Sequence, residues 1–190
     1  MFHPKRGSQE GFAFIIAEML NPDFYLELGI RHGHTIRMIS QRTDTKRCIG
    51  VDVLVPKHWP NDEQFYEFYH NSTDDFFAAI KDKILEFPPF DMVFIDAEHT
   101  AAAVRKDFHN VFPYVADQGI ILLHDGYPTS GMSKPNKCAD VYQAIEELRT
   151  ESCEKGEFEI MTIPHPPGLT LVRKTKKQLP WETRYDTSSK

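Results

Sequence analysis

Apolar positions along the chain fall into short runs of two alternating kinds. From Gly11 to Leu20, Phe12, Ile15, Ile16, Met19 and Leu20 recur at helical spacing and predict an N-terminal helix of about 8–20. Asn21-Pro22-Asp23 stops it, and Phe24 to Leu28 reads as a short buried strand. A turn with Gly29 and Gly33 leads into a helix around Thr35 to Gln41, and Arg47 to Asp52 is a second strand with an acidic end. Phe65 to Tyr69 reads as weakly helical, and Thr73 is placed to cap a helix carrying Phe76, Phe77, Ile80 and Ile84. Pro88-Pro89 precedes a strand at Met92 to Asp96, Ala101 to Phe112 is helix-like, and Gly119 to Leu123 is a further strand. A helix through Val141, Ala144, Ile145 and Leu148 follows. Two last runs, Phe158 to Ile163 and Leu169 to Val172, flank Pro164 to Gly168 like a hairpin.

Strands that alternate with helices predict an α/β fold, a doubly wound and mostly parallel sheet with helices on both faces. The hairpin adds an antiparallel strand. With 190 residues, a single domain over 1–172 accounts for the pattern, and residues 173–190 read as a basic, flexible tail. Six basic and two acidic residues give that tail its charge, while the whole chain carries −6. An acidic body repels phosphate backbones, so nucleic acid is not the expected partner. Three cysteines without metal spacing suit a reducing compartment. No run approaches the roughly 20 apolar residues of a membrane span, and no leader pattern opens the chain, so the expectation is a cytoplasmic protein. A homo-oligomer is compatible with this reading.

In doubly wound sheets ligands bind at the carboxyl ends of the strands. The first strand ends in Glu27-Leu28-Gly29, with Gly33 four residues beyond Gly29, and the three-glycine dinucleotide motif is missing. A carboxylate at Glu27 disfavours a diphosphate and suits a ligand with an ammonium group, such as S-adenosylmethionine. Asp52, at the end of the second strand, is placed to accept hydrogen bonds from ribose hydroxyls.

Glu27-Leu28-Gly29 with Gly33, Val51-Asp52, Phe94-Ile95-Asp96-Ala97-Glu98-His99 and Gln118 through Leu123-His124-Asp125 resemble class I S-adenosylmethionine-dependent methyltransferases. More narrowly, they resemble the small-molecule O-methyltransferases of the cephalosporin-hydroxylase-like and macrolide-sugar group, over roughly Asp23 to Val172. The resemblance implies a Rossmann-like seven-stranded sheet whose last strand is antiparallel. It also implies that His70 to Asp74 lies beside the adenine, with Ser72 and Thr73 as hydrogen-bond donors or as simple helix caps.

Asp96 and the pair His124-Asp125 end adjacent strands, close enough to share a cation. In metal-dependent relatives, carboxylates there hold a divalent ion, which implies Mg²⁺ or Mn²⁺ at Asp96, Asp125 and His124. A hard Mg²⁺ prefers oxygen, whereas the imidazole suits a transition metal better. His99 resembles in position the lysine base of catechol O-methyltransferase, and an imidazole there can take a hydroxyl proton. Asp96 is a second catalytic candidate and a further cofactor contact. Gly126 to Lys137, rich in Gly, Pro and Ser, reads as a substrate lid or a plain surface loop. The implied acceptor is a small polar molecule, sugar-like or natural-product-like. A catalytically silent cofactor-binding protein and a nicotinamide-dependent oxidoreductase are the alternatives.

Overall fold

The computed structural model describes residues 8–81, 87–134 and 137–175. Seven strands form one sheet: β1 (Phe24–Leu28), β2 (Arg47–Asp52), β3 (Glu67–His70), β4 (Phe90–Ile95), β5 (Val115–Leu123), β6 (Phe158–Ile163) and β7 (Leu169–Lys174). Their order is β3-β2-β1-β4-β5-β7-β6. Pairings from β3 through β5 are parallel, while β7 runs antiparallel to both β5 and β6. The helices are α1 (Gln9–Leu20), α2 (His34–Arg42), α3 (Thr73–Ile80), α4 (Ala101–Val111) and α5 (Val141–Lys155).

The central strands are apolar on both faces because both are covered. Ala13 and Phe14 of α1 and Ile36 and Ile39 of α2 pack over Tyr25, Met92, Phe94 and Leu122. Val104, Phe108, Ala144, Ile145 and Leu148 of α4 and α5 pack over Leu26, Leu28, Val93, Ile95, Ile121 and Leu123. Strand alternation therefore turns Tyr25 and Glu27 of β1 toward the α1/α2 face.

Local chemistry sets several boundaries. The Ser8 hydroxyl accepts from Gly11 N at 3.1 Å, starting α1, and Asn21 closes it with φ 45°. Pro113 breaks α4 after Val111, leaving a 3₁₀ turn at Phe112–Tyr114 before β5 begins.

Three sequence expectations are corrected. The helical reading of Phe65 to Tyr69 gives way to β3, an edge strand that pairs with β2 from Ile49↔Glu67 to Asp52↔His70. The cap of α3 is Ser72, not Thr73, since the Ser72 hydroxyl accepts from Asp75 N at 3.1 Å. Arg173 and Lys174 belong to β7 and not to a tail. Arg173 reaches Glu159 at 2.6 Å, and Lys174 Nζ donates to Phe112 O and Val115 O. The rest of that tail, from residue 176 on, lies outside the described residues, as does Ile84.

Candidate active site

The ends of β1, β2, β4 and β5 are held side by side by backbone hydrogen bonds that continue the ladder into the loops. Gly29 N donates to Val51 O at 2.8 Å, Asp96 N to Leu28 O at 2.8 Å, and His124 N to Ile95 O at 3.1 Å. Register alone thus delivers Glu27, Gly29, Asp52, Asp96, His124 and Asp125 to one edge of the sheet. The turn after β1 lies tightly against the loop after β4. Gly29 has φ 85°, and a Cβ there would collide with the backbone of Asp96 and Ala97. Gly33, with φ 70°, starts α2 without a side-chain cap.

Glu27 is buried and accepts from Tyr25 Oη at 2.8 Å. Burial lifts its pKa well above the usual carboxylate range; the Tyr25 bond opposes this, and the charge of Asp96 adds to it. A cationic ligand beside Glu27 would relieve that cost. Asp52 accepts from Arg31 N at 2.6 Å and Leu54 N at 2.8 Å, which fixes its carboxylate against the β1–α2 turn. Ser72 is committed to α3, for its hydroxyl also donates to Asp75 Oδ2 at 2.7 Å. The Thr73 side chain bonds the buried Asp107 of α4. Both hydroxyls thus have structural partners at the segment assigned to the adenine.

Asp96, His99, His124 and Asp125 form one cluster, with a ligand atom of each within 4.8 Å of the others. His124 Nδ1 lies 2.8 Å from Asp125 Oδ1 and 3.3 Å from Asp96 Oδ1. Neither approach makes a hydrogen bond, and both His124 Nδ1 and Asp96 Oδ1 are buried without a hydrogen-bond partner. Ligand atoms about 2.1 Å from one ion stand roughly 3 Å apart when cis, so these spacings suit a shared cation.

Charge in the cluster is strongly coupled. Burial lifts Asp96 to about 6 against the pull of His124 and His99. For His124, burial favours the neutral ring, but Asp96 and Asp125 outweigh it and raise the pKa to about 9. Burial likewise opposes ionisation of Asp125, yet the close His124 ring and the bonds from His99 and Cys138 hold it well below the usual carboxylate range.

His99 Nδ1 approaches Asp125 Oδ2 at 2.5 Å, and this bond is the first cause of its raised pKa. An ionised carboxylate can only accept, so Nδ1 carries the proton and Nε2 is left as the basic nitrogen, 3.9 Å from Asp96 Oδ1. Asp125 itself has φ 64°, a left-handed backbone that ordinary residues seldom adopt and that is over-represented at functional sites.

Two members of this site escaped the sequence reading. Tyr25 stands two residues before Glu27 on the same strand face, and the period of two was the available signal. Cys138 is buried and its thiol donates to Asp125 Oδ1 at 3.2 Å; no motif announces it. Burial and the Asp125 charge push that thiol up to about 12, so it stays protonated. His32 and His34 lie beside each other, 5.7 Å between rings, and are not members of the cluster. The loop that follows Asp125 borders a cavity of about 430 Å³, shared with Tyr142, Glu146 and Arg149 of α5 and Thr162 of β6.

Sheet order, reversed β7 and polar strand ends together define a methyltransferase of the Rossmann-like class. A family model described as a methyltransferase domain matches residues 26–126, more than half of the chain, and the protein belongs to that family. No curated protein sequence matches it significantly. Among solved structures, an O-methyltransferase from Bacillus cereus in complex with SAH is 16% identical, with TM-score 0.70 over 92% of this chain and 83% of that one. TomG from Streptomyces achromogenes, an O-methyltransferase of tomaymycin synthesis solved with SAM, is 14% identical with TM-score 0.69, over 88% and 79% of the two chains. MycE from the mycinamycin pathway, solved with Mg, SAH and mycinamycin VI, is 19% identical with TM-score 0.66, over 95% of this chain and 54% of that one. No helix among the described residues is long and apolar enough to cross a membrane.

Proposed function

We propose that this methyltransferase moves the methyl group of S-adenosylmethionine to a hydroxyl of a small polar acceptor, sugar-like or natural-product-like, with a divalent metal at the Asp96 cluster. The observation that carries this reading is the cluster itself: two buried ligand atoms without a hydrogen bond, Asp96 Oδ1 and His124 Nδ1, beside a histidine oriented by Asp125. A silent cofactor-binding protein has no use for such an arrangement.

In this reading Glu27 faces the ammonium of the cofactor, Asp52 the ribose, and the Gly29–Gly33 turn lets backbone approach it closely. Ser72 and Thr73 border the adenine through their segment, their hydroxyls being engaged elsewhere. Asp96, His124 and Asp125 would hold Mg²⁺ or Mn²⁺. When bound, the ion supplies Lewis acidity that makes the acceptor hydroxyl easier to deprotonate. His99 Nε2 takes the hydroxyl proton as the new O–CH₃ bond forms and the S–CH₃ bond breaks, leaving S-adenosylhomocysteine. Asp125 stabilises the imidazolium so formed without taking its proton. Much of the rate comes from holding oxygen and methyl in line.

The test pairs binding with turnover. Calorimetry should detect S-adenosylmethionine and S-adenosylhomocysteine and little NAD, and labelled methyl should pass to a panel of hydroxylated acceptors when Mn²⁺ or Mg²⁺ is present. Tight NAD binding without sulfonium binding would sink the reading.

A further inference from the structure

Asp125 is gripped from two sides by segments far apart in sequence. Its Oδ2 takes the bond from His99 Nδ1, in the loop between β4 and α4, and its Oδ1 takes the Cys138 thiol at 3.2 Å. Cys138 sits at the far end of the loop that begins right after Asp125. Its backbone N donates to Met132 O at 3.1 Å, and its carbonyl accepts from Val141 N at 3.1 Å at the start of α5. Two residues on, Asp140 Oδ1 accepts from Ala101 N at 2.7 Å, at the first residue of α4. The loop therefore leaves the cluster at Asp125, returns to it at Cys138, and is then fastened to the helix that follows His99.

Resting on the metal reading above, we propose that Cys138 is a positioning residue: its S–H aims the Asp125 carboxylate so that one oxygen serves the cation while the other serves His99. A carboxylate turns about its side-chain bonds unless something holds it; His99 holds Oδ2, and at Oδ1 the Cys138 thiol is the hydrogen-bond donor, with His124 Nδ1 2.8 Å away but not hydrogen-bonded to it. Groups that hydrogen-bond a metal ligand fix its direction, and their loss typically weakens metal affinity 10–100-fold. The Cys138 side chain is buried and its hydrogen bond to the cluster goes to Asp125, so it acts through that residue.

Mn²⁺ affinity, read by electron paramagnetic resonance of the free ion, tests this without any turnover assay. Cys138→Val removes the donor and keeps the position apolar and filled, at the cost of one extra methyl; Cys138→Ser keeps a donor on a shorter arm. The expected result is Mn²⁺ affinity about 10–100-fold weaker in Cys138→Val and partly restored in Cys138→Ser, with S-adenosylhomocysteine affinity the same in all three. Wild-type Mn²⁺ affinity in Cys138→Val, or equal losses in both variants, would overturn the assignment while leaving the metal site standing. Absence of Mn²⁺ binding by the wild-type chain, with S-adenosylhomocysteine still bound, would remove the metal reading and this inference with it.

Discussion

His99 Nδ1 and Asp125 Oδ2, 2.5 Å apart, join the loops after β4 and β5 through one bond that fixes both a tautomer and a charge. His99 then presents Nε2 as a base whose pKa lies above its ordinary value, first because of that bond. A base acts when deprotonated, so a raised pKa places the acid limb of kcat/KM at higher pH. His99→Ala should lower turnover about 10²–10⁴-fold with cofactor affinity nearly unchanged. Asp125→Asn should move the acid limb down in pH as well as lowering the rate. A His99→Ala enzyme with normal turnover and the same limb would place the base elsewhere, His124 being next.

Removal of Asp52 addresses the cofactor. Its carboxylate is already steered by Arg31 N and Leu54 N, so it is presented in one orientation. Asp52→Ala should weaken S-adenosylhomocysteine binding by about 1–3 kcal/mol, the cost of leaving a ligand hydroxyl unpaired. Calorimetry measures this directly, and unchanged affinity would show that the ribose lies elsewhere.

Chelation addresses the metal. EDTA should abolish turnover while leaving cofactor binding mostly intact, since Glu27 and Asp52 are separate from the cluster. Full activity in rigorously metal-free buffer would reduce Asp96, His124 and Asp125 to hydrogen-bonding groups.

Asp107 supplies a prediction about stability. Burial lifts its pKa to about 6, with the Thr73 hydroxyl opposing. Between the unfolded value near ~4 and this folded value, the native state keeps a proton that the unfolded chain has lost. Its contribution to stability is therefore largest at low pH, falls as pH rises from about 4 to about 6, and is level above. Asp96 acts in the same direction. Asp107→Asn isolates the Asp107 share: relative to wild type, the variant should gain up to about 3 kcal/mol between pH 4 and 7 in urea unfolding. A constant difference across that range would show that Asp107 does not titrate this way.

Much of this arrangement could be read before any coordinates, and the residues show why. Strands β1, β2 and β6 are short, mostly apolar runs with sharp stops, so their ends were plain, and adjacent strand ends implied that Asp96 meets His124 and Asp125. Edge strand β3 was hidden because Phe65, Tyr66, Phe68 and Tyr69 satisfy helical spacing as well as a four-residue strand does. Thr73 and Ser72 are both good caps, and only the backbone geometry separates them. Arg173 and Lys174 looked like tail because their charge outweighs two residues of strand pattern. Cys138 could not be foreseen at all: its meeting with Asp125 depends on the path of a loop, which no periodicity records.

The close approach at Gly29 has a consequence for how this protein tolerates change. The β1–α2 turn and the loop bearing Asp96 touch backbone to backbone, with no side chain between them to be trimmed or enlarged. A deep mutational scan should therefore find position 29 closed to every residue with a Cβ, even under selection for folding alone. Single compensating substitutions at 96 or 97 should not reopen it, because the obstruction is main chain. Anyone redesigning the acceptor specificity of this enzyme would do better to leave that seam untouched and vary the loop beyond Asp125 instead.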